Sequence, residues 1–142
     1  MYELRPLEIE HLIDLVPQDA QQNEHDMMLS FVEQLSARPM EGWTGFKYGV
    51  AMGAAWWSEA WPGRMQIGMY LGKPLTSRDM VWAYRSMLWG LERIKSRRIE
   101  FTVTPCFKAG HRLAEMLGFK REGLMTAYDP LGNDAVLYAR IQ

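Results

Sequence analysis

The stretch GRMQIGMYLGKPLTSRDMVWAYRSMLWGLERIKSRRIEFTVTPCFKAGHRLAEMLGFKREG (63–123) decides how this chain folds. It opens with a short apolar run, Gly63 to Leu71, bounded by glycines as a buried strand is. Lys73, Pro74, Leu75, Thr76 and Ser77 make a turn, and Met80 to Ile94 then repeat apolar residues at helical spacing. Arg98 to Thr104 alternates strictly. Ile99, Phe101 and Val103 share one face; Glu100, Thr102 and Thr104 share the other. A short helix over about 107–117 stops at Gly118. Strand, helix and strand joined over this distance close as a parallel pair with a right-handed crossover.

Upstream, Tyr2 to Arg5 reads as a first strand and Pro6 suits the step into a helix. From Leu7 to Val16 an amphipathic helix places Ile9, Leu12, Ile13 and Val16 on one stripe, and Pro17 ends it. A second helix is expected from Asp19 to about Ala37, with Met27, Met28, Phe31, Val32 and Leu35 toward the core. Its first half, 18–26, is almost wholly polar and reads equally well as loop. Pro39 and Gly42 break the chain. Trp43 to Tyr48 and Val50 to Trp57 form strands joined at Gly49, and 58–63 is the next turn, so that a meander feeds the 64–71 strand. Downstream, Leu124 to Tyr128 and Ala135 to Ile141 read as two further strands. There is no repeat, low-complexity segment or linker, so residues 1–142 are expected to form a single domain.

Composition excludes several classes. The chain is 48% hydrophobic and 23% charged with a formal charge of −1, which offers no electrostatic footprint for nucleic acid or a membrane surface. One cysteine, Cys106, rules out a disulfide framework and a cysteine-rich zinc site, and no histidine pair has metal-ligand spacing. No signal peptide and no apolar run of membrane-spanning length is visible, so a cytoplasmic address is expected.

The unit over 64–123, closed by a short helix ending in Leu117-Gly118-Phe119 and followed by Glu122-Gly123, resembles the GCN5-related N-acetyltransferases (GNAT). In general layout it is also similar to small, divergent phage-encoded members. The helix ending has a local reading too: Gly118 takes the left-handed position after the helix and Phe119 packs back on its last turn. The resemblance implies an α/β (α+β) fold, with a mixed, mostly antiparallel sheet, a central parallel strand pair and helices on both faces. It also implies acetyl-coenzyme A as cofactor. The pantetheine arm would lie on the backbone of Met69, Tyr70 and Leu71. The pyrophosphate would meet Thr76, Ser77 and Arg78, where the turn opens into a helix N-terminus.

This sequence departs from the family pattern at three points. In the phosphate turn the nearest frame is Arg78 to Ala83, with Val81 where a glycine is expected and Asp79 adding negative charge. Ala114 stands where many members carry a tyrosine that protonates the departing thiolate. Near Phe107 an asparagine is missing. A plain structural reading of the same turn makes Thr76 or Ser77 an N-cap and Asp79 a first-turn acid, with Arg78 exposed.

The catalytic residues are not identified. Tyr70, Glu100, Thr104, Tyr128 and Asp129 are candidates for proton transfer, set against readings as an interior aromatic, solvent-facing strand residues and a turn former. Among His11, His25 and His111, His25 lies in the polar stretch that would border the acceptor. Cys106 is expected to be a buried thiol, and Lys108 and Arg112 to face solvent or a nucleotide phosphate. The helix over 78–95 is apolar nearly all round. A second contact is therefore expected there, either within the chain or in a homodimer, and Gly90 suggests close packing. The expected activity is acetyl transfer from acetyl-coenzyme A to an amine on a small molecule or peptide. The alternative is a module of the same fold that binds or builds, for example in a phage virion, without catalysis.

Overall fold

A computed structural model describes residues 1–37, 41–73 and 75–142. Pro39 and Pro74, read above as chain breakers, lie outside the described residues, as does the side chain of Leu35. The elements run β1 (Tyr2–Pro6), α1 (Ile9–Asp14), a 3-10 turn (Asp19–Gln21), α2 (Gln22–Ser30), α3 (Val32–Ser36), β2 (Glu41–Lys47) and β3 (Val50–Trp61). They continue as β4 (Arg64–Leu71), α4 (Ser77–Leu91), β5 (Arg98–Val103), α5 (Lys108–Met116), β6 (Lys120–Met125) and β7 (Ala135–Ile141). The sheet has seven strands in the order β1-β2-β3-β4-β5-β7-β6. It is mostly antiparallel, with the expected parallel pair β4 and β5 at its centre. No helix among the described residues is long and apolar enough to cross a membrane.

The chain packs as two compact units. The first comprises Met1–Ser58 and Met69–Ala83, the second Glu59–Gly68 and Tyr84–Gln142. In the first, β1, β2 and β3 form an antiparallel ribbon whose hairpin turn holds both Tyr48 (φ 51) and Gly49 (φ 77) at positive φ, as the tightest hairpin loops require. The core is Leu12, Leu15, Met28, Ala54 and Tyr70, with Leu7, Ile9, Leu29, Ala51 and Trp56 packed around it.

This core corrects the helical stripe read from the sequence. Leu15 is buried while Ile13 and Val16 are exposed, because α1 ends at Asp14 and Leu15 is already extended (φ −65, ψ 131). Periodicity carried past the end of a helix points side chains to the wrong face. The polar stretch is helical from Asp19 rather than loop, and Phe31, which is exposed, separates α2 from α3 where a single helix is expected.

In the second unit the apolar face of β5 is buried as its alternation predicts, and Glu100 on the other face is buried as well. Ile99, Phe101 and Val103 are buried, and Phe101 meets Phe119 edge-on at 4.7 Å. The Leu117-Gly118-Phe119 ending closes α5 in the Schellman arrangement. Phe119 N–H donates to Ala114 C=O (3.0 Å), Gly118 N–H donates to Glu115 C=O (3.0 Å), and Gly118 sits at φ +84. The chain then enters β6 at Lys120, ahead of the strand start read from the sequence at Leu124, and leaves it at Met125, so Tyr128 falls beyond the strand. A register shift between Arg121 and Gly123 explains the misreading, since it breaks the alternation that sequence analysis relies on.

Two further expectations are overturned. Cys106 is exposed, because β5 stops at Val103 and leaves it in the turn before α5. A Cβ built on Gly90 meets nothing within 4 Å, so that glycine marks open space rather than close packing.

Candidate functional site

Met69, Tyr70, Leu71, Thr76, Ser77 and Arg78 all lie in the first unit, on the end of β4 and the start of α4. The parallel register between β4 and β5 covers Arg64↔Arg98, Met65↔Ile99 and Gln66↔Glu100 and ends there, whereas β4 continues to Leu71 and β5 to Val103. The end of β4 is held instead by the segment 16–21. Gln18 N–H donates to Leu71 C=O (2.8 Å), Lys73 N–H donates to Val16 C=O (2.9 Å), and the Gln18 amide donates to Gly72 C=O (2.6 Å).

One step up the strand a side chain takes over. The Gln21 carboxamide donates to Met69 C=O (3.0 Å) and accepts from Leu71 N–H (2.8 Å). Groups two residues apart on a strand point to the same edge, and Gln21 is buried, so it closes this edge as the N–H and C=O of one residue of an added strand would. On the opposite edge Gly72 N–H donates to Met52 C=O of β3.

Tyr70 is buried, as its reading as an interior aromatic has it. Its ring meets His25 edge-on at 5.6 Å and Trp56 at 5.2 Å. Burial, followed by the charge of Glu24, pushes the Tyr70 hydroxyl well above its ordinary pKa. His25 is buried with it: Nε2 lies 2.7 Å from Leu12 C=O and therefore carries the proton, leaving Nδ1 an acceptor without a partner.

The start of α4 follows the structural reading. Thr76 and Asp79 form a reciprocal cap, with Thr76 N–H donating to Asp79 Oδ2 (2.9 Å) and Asp79 N–H to Thr76 Oγ1 (3.2 Å). Asp79 is buried and also accepts from the Tyr2 hydroxyl (2.7 Å) and Lys47 Nζ (3.0 Å). The Thr76 N–H first, then Tyr2 and Lys47, hold its carboxyl far below the usual carboxylate range. Thr76, Ser77 and Arg78 are exposed, and Val81 is too, so its branched side chain does not fill the interior.

The remaining candidates separate from this site. Glu100 is not a solvent-facing strand residue. It is buried and accepts from Arg64 Nε (2.9 Å), Arg98 Nε (2.7 Å) and Gln66 Nε2 (3.3 Å). Burial alone would push its carboxyl up; the hydrogen bonds from Arg64, Arg98 and Gln66 outweigh that and bring it down to about 2. Asp129 is a turn former, accepting from the N–H groups of Leu131 (3.0 Å) and Asn133 (2.8 Å). Tyr128, Lys108 and Arg112 are exposed. His11 Nδ1 lies 2.8 Å from the buried Thr44 hydroxyl. His111 Nε2–H donates to Pro105 C=O (2.9 Å), so its Nδ1 accepts from the buried Tyr138 hydroxyl (2.8 Å).

Gln21 is the site residue that sequence reasoning missed. The available signal was the i, i+4 pair Gln21 and His25 on one face of an otherwise polar run, and both are buried. The contacts of Tyr2 and Lys47 with Asp79 span 77 and 32 residues and left no local trace.

No family model and no curated protein matches the sequence. Solved structures do match. An N-acetyltransferase from Staphylococcus aureus Mu50 is 14% identical, with 99% of this chain and 98% of that one covered at a TM-score of 0.69. An acetyltransferase of the GNAT family from Bacillus anthracis is 17% identical over 99% and 94% of the two chains, at 0.66. The IAA acetyltransferase from Bacillus cereus ATCC 14579 is 12% identical over 100% of both, at 0.70. A likeness of this extent at so low an identity speaks to architecture, and the chain has the fold of the GNAT acetyltransferases.

Proposed function

We propose that this protein is an acetyl-coenzyme A-dependent acyltransferase that passes an acetyl group to an amine on a small molecule or peptide, by direct attack on the thioester carbonyl. The observation that carries the reading is the edge of β4. Met69 C=O and Leu71 N–H are placed to meet the N–H and C=O that flank one residue of an added strand, and the Gln21 carboxamide, with an N–H on the same side as its C=O, stands in for them. A pantetheine arm carries two amides in succession, so this edge fits that part of the cofactor. The exposed N-terminus of α4, with Thr76, Ser77 and the Arg78 guanidinium, offers dipole and charge to a pyrophosphate. Asp79 already sits in that cap as a carboxylate, so phosphate affinity rests chiefly on Arg78.

Bound acetyl-coenzyme A supplies an acyl group activated as a thioester. The chain's own residues position it through backbone amides. Burial raises the pKa of the Tyr70 hydroxyl and makes it a weaker acid than an ordinary tyrosine, so Tyr70 serves as a wall of the interior rather than as the donor to the departing thiolate. The capped Asp79, with Val81 and Ala114 at the family's glycine and tyrosine positions, favours a second reading. In it, a module of GNAT fold, of phage virion type among others, binds without catalysis.

Melting the protein with increasing coenzyme A tests whether the cofactor binds, which the transferase reading requires. A ligand that binds only the folded state at a hundred times its Kd adds about 2.7 kcal/mol, a readily measured rise in Tm. Absence of any rise at millimolar ligand would leave the non-catalytic module. Arg78→Ala is expected to weaken binding roughly tenfold, as loss of one charge-assisted contact does; an unchanged Kd removes Arg78 from the site.

A further inference from the structure

Gln21 contacts the strand edge differently from the rest of its segment. Backbone bonds anchor the segment at Leu71 and Lys73, where Gln18 N–H and Val16 C=O are the partners. Met69 C=O and Leu71 N–H are held by the Gln21 side chain, through its amide N–H and its amide oxygen. A rotation about side-chain bonds therefore frees that edge while the backbone contacts stay. A buried N–H and C=O do not remain bare, so whatever displaces the carboxamide must restore both a donor and an acceptor.

We propose that Gln21 is an internal competitor for the cofactor arm, setting its affinity and selecting ligands that bear an amide. The inference rests on the acyl-coenzyme A reading above. In the free protein the carboxamide occupies the Met69–Leu71 edge. The entering arm exchanges with it bond for bond, with Leu71 N–H donating to the carbonyl of one ligand amide and the N–H of the adjacent ligand amide donating to Met69 C=O. A thiol or thioester without an amide cannot make that exchange and is excluded.

The test compares the wild-type protein with Gln21→Met, which keeps the side chain's length and removes its hydrogen bonds. Calorimetry with coenzyme A is expected to give a Kd about tenfold tighter for Gln21→Met, since the ligand then meets unpaired edge groups. An equal or weaker Kd overturns the competitor role while leaving the cofactor reading standing. Failure of both proteins to bind coenzyme A overturns both. Hydrogen exchange at Leu71 N–H, without ligand, is expected to be slow in the wild type and at least tenfold faster in Gln21→Met; unchanged protection would also sink the proposal. Should Gln21→Met fail to fold, the wild type still decides. Pantetheine is expected to shift the Gln21 side-chain amide resonances whereas 2-mercaptoethanol does not, and stationary resonances under pantetheine overturn the inference.

Discussion

At the scale of single residues, the most telling group is Glu100. It sits in the centre of β5, buried, and is kept ionised by Arg64, Arg98 and Gln66. Arg98 in turn reaches Glu122, so a chain of charges ties β4, β5 and β6 of the second unit together. The folded carboxyl, at about 2, lies below the 4.5 of a free glutamate side chain. A depressed carboxylate stabilises the fold above its unfolded pKa and loses that contribution as pH falls through the folded one. Stability is thus expected to fall between about pH 4.5 and pH 2. Glu100→Gln should flatten that part of the profile and cost about 2–3 kcal/mol at pH 7, given the pairing it breaks. Denaturant unfolding at pH 7, 4.5 and 2.5 checks both; a variant with an unchanged acid profile would move the titration to another group.

At the scale of elements, α4 shows why periodicity alone misleads. Its apolar residues run almost all round, yet they do different things. Trp82 stacks on Tyr2 at 5.0 Å and lies against Gly45, whose added Cβ would come within 2.7 Å of the indole. Trp89 is partly exposed and carries the Arg93 guanidinium over its ring at 3.8 Å. The second contact expected for this helix is therefore met inside the chain at Trp82. Gly45→Ala is expected to destabilise by about 1–3 kcal/mol through overpacking against Trp82. Gly90→Ala, with open space around its Cβ, should stabilise by about 0.5–1 kcal/mol, the helix propensity difference. Thermal melts of the two variants should move in opposite directions; a loss of stability in Gly90→Ala would mean that something outside the chain packs there.

At the scale of the whole molecule, a charge of −1 and a pI near 6.3 predict a solubility minimum close to pH 6.3, which precipitation across pH 5–8 measures. With Trp82 covered internally, light scattering is expected to return the monomer mass of 16.5 kDa. Twice that mass would assign Val81 and Trp89 to a dimer interface.

What the sequence by itself determined is the order of the elements and the parallel pair at the centre. Those follow from local periodicity, from the length of the β4–β5 connection and from the Gly118 turn, all of which act between near neighbours. The Thr76–Asp79 cap was legible for the same reason, being a reciprocal bond three residues apart. Only the tertiary structure decided that Glu100 is buried and paired, that Leu15, just past the end of α1, faces inward while Ile13 does not, and that Gln21 closes the edge of β4. Each of these depends on a partner 34 to 50 residues away, or on where a helix stops by a single residue. A polar side chain carries no mark of whether its hydrogen bonds will go to water or to a distant strand; only the folded chain brings the donor and acceptor that settle it.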